Sequence, residues 1–126
     1  MKFQPDTADG VNAITRHEPS RLWVGNQLYA HSIVVPWKGE VQAWDATSPE
    51  ALTPDHFQRL LALQPELVIF GSGARLKFVS PALYRALIEK RVGIETMDTA
   101  AACRTYNVLA GEHRRVLAAL LLAPPP

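Results

Sequence analysis

The sequence predicts an α/β fold with a mixed β-sheet, because strand and helix patterns alternate through its C-terminal half. Three segments have the apolar content of buried strands: residues 67–70, 94–97 and 115–121. The helices between them are marked by the capping pairs Ser80-Pro81 and Asp98-Thr99. This C-terminal βαβαβ order predicts three parallel strands joined by right-handed crossovers.

The N-terminal half predicts short antiparallel strands. Val11, Ala13 and Thr15 alternate with polar neighbours, which is typical of a strand with one buried face. Aromatic and β-branched residues are frequent in the segments that follow, and Gly25-Asn26 predicts a tight hairpin turn between two of them. These N-terminal strands are expected to add antiparallel pairs to the parallel unit.

Capping signals predict two further helix boundaries. Thr53 is the expected N-cap of a helix that has Pro54 at its first position. Gly93 is expected to end the helix that begins after Ser80, because glycine adopts the left-handed conformation without strain.

Length and composition predict one domain. A chain of 126 residues, 48% of them apolar, buries roughly two thirds of its unfolded surface and needs no metal or disulfide for a core. Residues 1–10 and 122–126 are expected to be loose tails, since the second ends in three prolines. The formal net charge of +1 argues against a nucleic-acid binder that depends on a strongly basic face.

Cysteine and histidine usage predicts neither a disulfide nor a metal site. Cys103 is the single cysteine, which suits a reducing compartment and a cytoplasmic protein. The four histidines are His17, His31, His56 and His113, and none has a metal-binding spacing. The N-terminus lacks the apolar segment of a secretory signal, and no stretch approaches the ~20 apolar residues needed for membrane insertion. No cofactor is predicted.

A candidate ligand site lies where two strand-to-helix loops reach the same edge of the predicted sheet. The loop after residue 70 combines glycines, which allow close backbone approach to an anion, with an arginine. The candidate ligand-binding residues are Gly71, Ser72, Gly73, Arg75, Asp98, Thr99 and Arg104. Two structural alternatives remain open: an ordinary turn at the glycines, and a helix N-cap at Asp98.

No set of residues predicts catalysis, because a nucleophile, a base and an orienting group never occur together. Cys103 follows three alanines and is expected to be a small buried residue. Trp37 follows Pro36 at a turn beside Lys38, where an exposed indole would mark a protein contact surface. We therefore predict no catalytic residue and one candidate protein contact, Trp37.

Several segments together resemble a known family. They are Ile-Val-Val before Pro36-Trp37, Leu-Val-Ile-Phe-Gly-Ser-Gly from residue 67, the Ser80-Pro81 helix start, and residues 93–109 with 112–116. The chain resembles the small α/β family that includes the mitochondrial complex I (NADH dehydrogenase) assembly factor 3 and bacterial and archaeal proteins of unknown function. The resemblance implies a compact domain of three layers around a mixed sheet, and no established catalytic residues. For the mitochondrial member it implies assembly of a membrane respiratory complex. Since the chain has no mitochondrial presequence, the resemblance indicates a bacterial relative.

Two functions remain open at this stage. The first is a non-catalytic accessory or assembly protein that binds a partner protein, linked to a respiratory or membrane complex. The second is a small enzyme or ligand-binding domain that holds an anionic metabolite at the glycine-loop edge of the sheet. The missing catalytic set and the family resemblance favour the first.

Overall fold

A computed structural model describes residues 10–124, which form eight β-strands and three α-helices. The strands are β1 (Ile14–Glu18), β2 (Arg21–Val24), β3 (Gln27–Tyr29), β4 (Ile33–Pro36), β5 (Gln42–Ala43), β6 (Leu67–Gly71), β7 (Gly93–Met97) and β8 (Val116–Leu120). The helices are α1 (Pro54–Gln58), α2 (Arg85–Glu89) and α3 (Thr99–Gly111). Short 3-10 segments lie at Pro49–Ala51, Arg59–Leu63 and Pro81–Tyr84.

The central element is a five-stranded mixed sheet in the order β5-β4-β8-β6-β7. Its strands β6, β7 and β8 are parallel, so the predicted parallel unit is confirmed. β4 pairs antiparallel with β8, and β5 pairs antiparallel with β4. β8 therefore lies in the middle of the sheet, and all of its residues are buried, as expected for a strand that is covered on both faces.

The first three strands form a separate antiparallel sheet in the order β1-β2-β3. The predicted hairpin turn at Gly25-Asn26 connects β2 to β3, and Gly25 has a φ of 59°, which favours glycine. β4 and β5 thus add the expected antiparallel pairs to the central sheet, whereas β1 to β3 pair among themselves. The three-stranded sheet is separate because it packs on a face of the central sheet instead of extending its edge. Leu22 and Val24 of β2 are buried there together with residues of α3.

Both faces of the central sheet are covered. α3 and the three-stranded sheet cover one face, where Ile69, Tyr106 and Ala118 are fully buried. α1 and α2 cover the other face, where Phe57 and Phe70 meet edge to face with ring centroids 5.5 Å apart. The expected three-layer arrangement around a mixed sheet is therefore confirmed.

The turn between α2 and β7 differs from the prediction. The sequence predicts that Gly93 ends the helix with a positive φ, but Gly93 is the first residue of β7, and Arg91 has the positive φ, 60°. The chain turns earlier because the Val92 N–H donates to the Leu87 carbonyl at 2.9 Å. Glycine has a different role at position 93, since a Cβ there would lie 3.0 Å from Cδ1 of Leu67.

The structure does not place Leu122 in a loose C-terminal tail. Leu122, which the sequence assigns to a loose tail over 122–126, is only 2% exposed, and its N–H donates to Ser32 Oγ at 2.9 Å. Burial of this apolar side chain fixes the segment despite the prolines that follow. Residues 125–126, like residues 1–9, lie outside the described range, so those parts of the tail predictions are not addressed by the structure.

One threonine hydroxyl joins three elements at the C-terminal edge of the parallel strands. Thr99 Oγ1 donates to the Leu121 carbonyl at 2.8 Å and accepts from the Gly73 N–H at 2.9 Å. The Thr99 N–H donates to the Gly73 carbonyl at 2.8 Å. These bonds connect the loop after β6, the start of α3 and the segment after β8.

Gly71 allows this junction to be tight. A Cβ at position 71 would lie 2.9 Å from Thr99 Oγ1 and 3.0 Å from both Thr99 Cα and Leu120 Cδ2. These distances are shorter than side chains tolerate in a packed interior. Glycine is thus needed at this position because α3 approaches β6 closely.

Replacing Thr99 with valine keeps the shape of the side chain and removes its hydroxyl. We expect Thr99→Val to lower the free energy of unfolding by about 1–3 kcal/mol, because a buried carbonyl and a partly buried N–H lose their partner. Urea unfolding measures this change. Thr105→Val, at a half-buried position on the same helix, is the matched control and should change the value by less than about 0.5 kcal/mol. Equal losses for the two variants would contradict the role of the hydroxyl.

Cys103 is expected to react slowly with thiol reagents in the native protein. Its side chain is 4% exposed and lies in the same core cluster as Ala102 and Tyr106. Burial raises the pKa of its thiol to about 12, so the reactive thiolate is scarce at neutral pH. The measurement is the rate of labelling by an aromatic disulfide at pH 7.5, compared between native and urea-unfolded protein. Similar rates in the two states would refute burial.

Candidate functional site

The two loops that the sequence assigns to a site do meet at one edge of the central sheet. The Ser72 N–H donates to the Met97 carbonyl at 2.8 Å, and Gly73 exchanges hydrogen bonds with Thr99. β6 and β7 are adjacent and parallel, so their C-terminal ends reach the same edge. Five candidate ligand residues are brought together there: Gly71, Ser72, Gly73, Asp98 and Thr99.

The backbone donors of the glycine segment are engaged inside the protein. The Ser72 N–H is bonded to a strand carbonyl, and the Gly73 N–H is bonded to the Thr99 hydroxyl. A backbone anion site needs such N–H groups to point at the ligand. These two groups instead hold the loop against β7 and α3.

Asp98 is the N-cap of α3, which is the structural alternative left open above. Its Oδ1 accepts from the Ala101 N–H at 2.8 Å. An N-cap of this kind contributes about 1 kcal/mol to stability. Asp98 therefore positions the start of α3, and with it Thr99, at the sheet edge.

A cleft of about 230 Å³ opens beside this edge. Its lining comes from the loop after β6, the first residues of α3 and the end of β1. The lining residues are His17, Pro19, Gly73, Ala74, Thr99 and Ala100. The predicted loops thus border a cleft, and β1 of the three-stranded sheet supplies its third wall.

His17 is the titratable side chain in this lining, and it is not among the predicted site residues. Burial is the main cause that lowers the pKa of its imidazole, and the charge of Arg104 lowers it further. The charge of Asp98 acts in the opposite direction and raises the pKa. Because the net direction is below the ordinary value near 6.5, His17 is mainly neutral at pH 7, with one donor and one acceptor nitrogen. The alternation that begins at Val11, extended along β1, reaches His17, and this signal could have identified it.

The two candidate arginines lie outside the cleft lining. Arg75 is exposed, and its carbonyl accepts from Ser72 Oγ at 2.7 Å. Arg104 is exposed on α3, near enough to affect the pKa of His17. A ligand that uses either guanidinium together with the cleft has to extend beyond the cleft itself.

The loop at residues 74–78 is held by one buried serine. Ser72 is 3% exposed, and its hydroxyl donates to the Arg75 carbonyl and accepts from the Lys77 N–H at 2.9 Å. The Lys77 ammonium group also pairs with the carboxylate of Glu50. The two bonds of Ser72 therefore hold the backbone of the 74–78 loop at residues 75 and 77.

The same loop presents two large apolar side chains to solvent. Leu76 is 52% exposed and Phe78 is 73% exposed. Two large apolar groups exposed on one hydrogen-bonded loop are typical of a protein contact surface, whereas single exposed apolar residues need no explanation. These residues are not among the predicted contacts, because apolar character alone does not distinguish an exposed loop from a buried one.

Trp37, the candidate protein contact, is half-buried. Its ring packs against the core on the side of the three-stranded sheet, and Lys38 Nζ lies 4.7 Å from the ring centroid. Trp37 lines a second cleft, of about 150 Å³, with Leu63, Pro65 and Arg115 among its other walls. A contact through Trp37 remains a prediction, and it would involve this cleft.

One group of side chains has the outline of a catalytic triad but acts as a helix cap. Thr53 Oγ1 lies 2.9 Å from His56 Nδ1, and His56 Nε2 lies 2.8 Å from Asp45 Oδ1. The Thr53 N–H also donates to His56 Nδ1 at 3.0 Å, so the imidazole completes a reciprocal capping box at the start of α1. Arg59 bonds the same Asp45 oxygen at 3.0 Å. These contacts stabilise α1.

Residues 10–124 form neither a metal-binding group nor a membrane-spanning helix. No three of their His, Cys, Asp and Glu side chains are grouped so that they could hold a metal ion. None of the helices in this range is long and apolar enough to cross a bilayer.

Proteins of similar sequence include a mitochondrial assembly factor. The chain is 33% identical over 104 residues to the Bos taurus NADH dehydrogenase [ubiquinone] 1 alpha subcomplex assembly factor 3. This match covers 81% of the chain and 54% of the bovine protein. The chain thus spans about half the length of this relative.

Solved structures of bacterial proteins have the same fold. A crystal structure of a Bordetella parapertussis protein matches with a TM-score of 0.85 and 36% identity, and the match covers 90% of this chain and 98% of that one. A solution structure of a Bordetella pertussis protein, described as a Mth938-like domain, matches with a TM-score of 0.82 and 30% identity over 96% and 92% of the two chains.

A sequence model of a protein family also matches this chain. The model described as protein of unknown function DUF498/DUF598 matches residues 14–121, which include every strand and helix of the structure. The resemblance stated from the sequence is thereby confirmed. The chain belongs to the DUF498/DUF598 family of Mth938-like α/β domains.

Proposed function

We propose that this protein is a non-catalytic accessory protein of the assembly-factor type, and that it binds a partner protein through the 74–78 loop. The observation that carries the proposal is the exposure of Leu76 and Phe78 on a loop that Ser72 holds in place. The bovine relative is named for the assembly of NADH dehydrogenase, which supports an assembly role for a chain that matches half of it. The proposed partner belongs to a respiratory or membrane complex.

The physical case for a protein contact rests on burial and order. Covering a large apolar side chain contributes about 1.5–3 kcal/mol relative to leaving it in water. A loop that is already ordered loses little conformational entropy on binding. A flexible loop would lose more, because it becomes ordered only when the partner binds. Leu76 and Phe78 on the fixed 74–78 loop therefore have the features of binding anchors.

The residues that could carry catalysis have structural contacts instead. His56 completes a capping box, Asp98 caps α3, and burial keeps the Cys103 thiol protonated. These contacts support the non-catalytic proposal. The single buried cysteine also supports our proposal that the protein belongs to a bacterial cytoplasm, where thiols stay reduced.

A second candidate function is the binding of a small anionic ligand in the His17 cleft. The cleft lies at the predicted edge of the sheet. Arg75 lies on the neighbouring loop and Arg104 on α3, and both are exposed. The engaged N–H groups of Ser72 and Gly73 count against this candidate, because they leave binding to side chains.

Charged substitutions in the 74–78 loop test the partner proposal. We expect Leu76→Glu and Phe78→Glu to abolish recovery of the partner with tagged protein cross-linked in the native host, since a buried charge opposes contact. Val108→Glu is the matched control, because Val108 is 60% exposed on α3, and it should leave recovery unchanged. The readout is quantitative mass spectrometry of co-purified proteins. Equal recovery by all variants would contradict the proposal.

The ligand candidate makes a separate prediction for the isolated protein. Titration with phosphate, nucleotides and carboxylic acids should shift the amide resonances of Gly73, Ala74, Thr99 and Ala100, and Arg75→Ala should weaken binding by about 1.5–3 kcal/mol. Arg85→Ala, at an exposed position on α2, is the control. If no shift centres on the cleft, or if Arg75→Ala has no effect, the ligand candidate fails.

A further inference from the structure

The open edge of the central sheet is β7. This strand pairs with β6 on one side and is the last strand of the sheet on the other. At the opposite edge β5 is only two residues long, whereas β7 has five residues. β7 is therefore the longer of the two open edges of this sheet within residues 10–124.

The hydrogen-bond pattern shows which backbone groups of β7 face outward. The Gly93 N–H donates to the Glu66 carbonyl, and the Met97 carbonyl accepts from the Ser72 N–H. In a parallel ladder alternate residues direct both groups toward the same neighbour, so 93, 95 and 97 face β6. The N–H and C=O groups of Ile94 and Thr96 therefore point away from the sheet and are available to another strand.

Glu95 lies between these two residues and carries an exposed carboxylate. None of the ion pairs among residues 10–124 includes Glu95. A Lys or Arg opposite Glu95 would form a cross-strand ion pair.

We propose that β7 binds an extended basic segment of a partner protein as an added β-strand, through the backbone of Ile94 and Thr96 and the carboxylate of Glu95. This inference goes beyond the proposed function, because it uses a different surface from the 74–78 loop. Strand addition of this kind obtains affinity from backbone bonds and specificity from alternate side chains.

The same residues disfavour two of the registers in which a second copy of this chain could be the added strand. An antiparallel pair centred on Glu95 would place Glu95 directly opposite its copy, and like charges in that position are destabilising. An antiparallel pair centred on Ile94 would place Thr96 opposite Val92, whose N–H is already bonded to the Leu87 carbonyl. A foreign strand with a basic residue avoids both costs.

A capped peptide of sequence Thr-Val-Lys-Val-Lys-Val-Thr is the probe, and the same peptide with glutamate in place of lysine is its control. Titrated into the isotope-labelled protein at millimolar concentration, the lysine peptide should shift the amide resonances of Ile94 and Thr96 most strongly. It should bind about two- to tenfold more tightly than the glutamate peptide. Glu95→Gln should reduce this ratio to about one.

Backbone variants separate strand addition from simple charge attraction. Thr96→Pro removes the outward N–H, and an edge strand tolerates proline at such a position; binding of the lysine peptide should be lost. Thr96→Ala keeps the N–H and should bind normally, which controls for the side chain. Circular dichroism checks that each variant is folded, and Leu76→Glu should bind the peptide as the original protein does.

Three results would overturn the inference. They are the absence of shifts at Ile94 and Thr96, equal affinity for the two peptides, and unchanged binding by folded Thr96→Pro. Dimerisation of the free protein that Thr96→Pro abolishes would also overturn it, because the edge would then be occupied by a second copy.

Discussion

A single buried hydroxyl, that of Thr99, holds together the edge of the sheet where the fold and the candidate site meet. It bonds the loop after β6 and the segment after β8 at the same time, and it lies on the first residue of α3. Gly71 makes this contact possible, because any side chain there would overlap Thr99. The position of α3 and the path of the glycine segment therefore depend on one close approach between backbone atoms.

This constraint also decides what the glycine segment can do. Its N–H groups at Ser72 and Gly73 are used to close the junction, so they cannot also receive an anion. The Ser72 hydroxyl continues the same network outward and fixes the 74–78 loop. The outcome is a hydrogen-bonded loop whose side chains Leu76 and Phe78 face solvent. This exposure is the basis of our proposal of a protein contact.

Much of the fold could be predicted from the sequence, because the signals for β6, β8 and the start of α3 are local. Asp98 is a recognisable cap, and the fully apolar β8 indicates a strand covered on both faces. The separate sheet of β1 to β3 could not be predicted, because pairing partners depend on tertiary packing that periodicity does not report. Gly93 was misassigned for a similar reason: the left-handed residue is Arg91, and glycine at 93 instead avoids contact with Leu67.

The sequence correctly predicts that the two loops of the candidate site meet at one edge of the sheet. The bonding of their residues could not be predicted from residue order. The Gly73 N–H can donate either to a ligand or to Thr99. Which of the two occurs depends on how closely α3 approaches the loop after β6, and these segments are far apart in the sequence. Amide hydrogen exchange of Gly73 and Lys77 in the free native protein tests this account most directly. We expect both amides to be strongly protected, because one is bonded to Thr99 and the other to Ser72. Exchange of either amide at the rate of an unstructured peptide would contradict it.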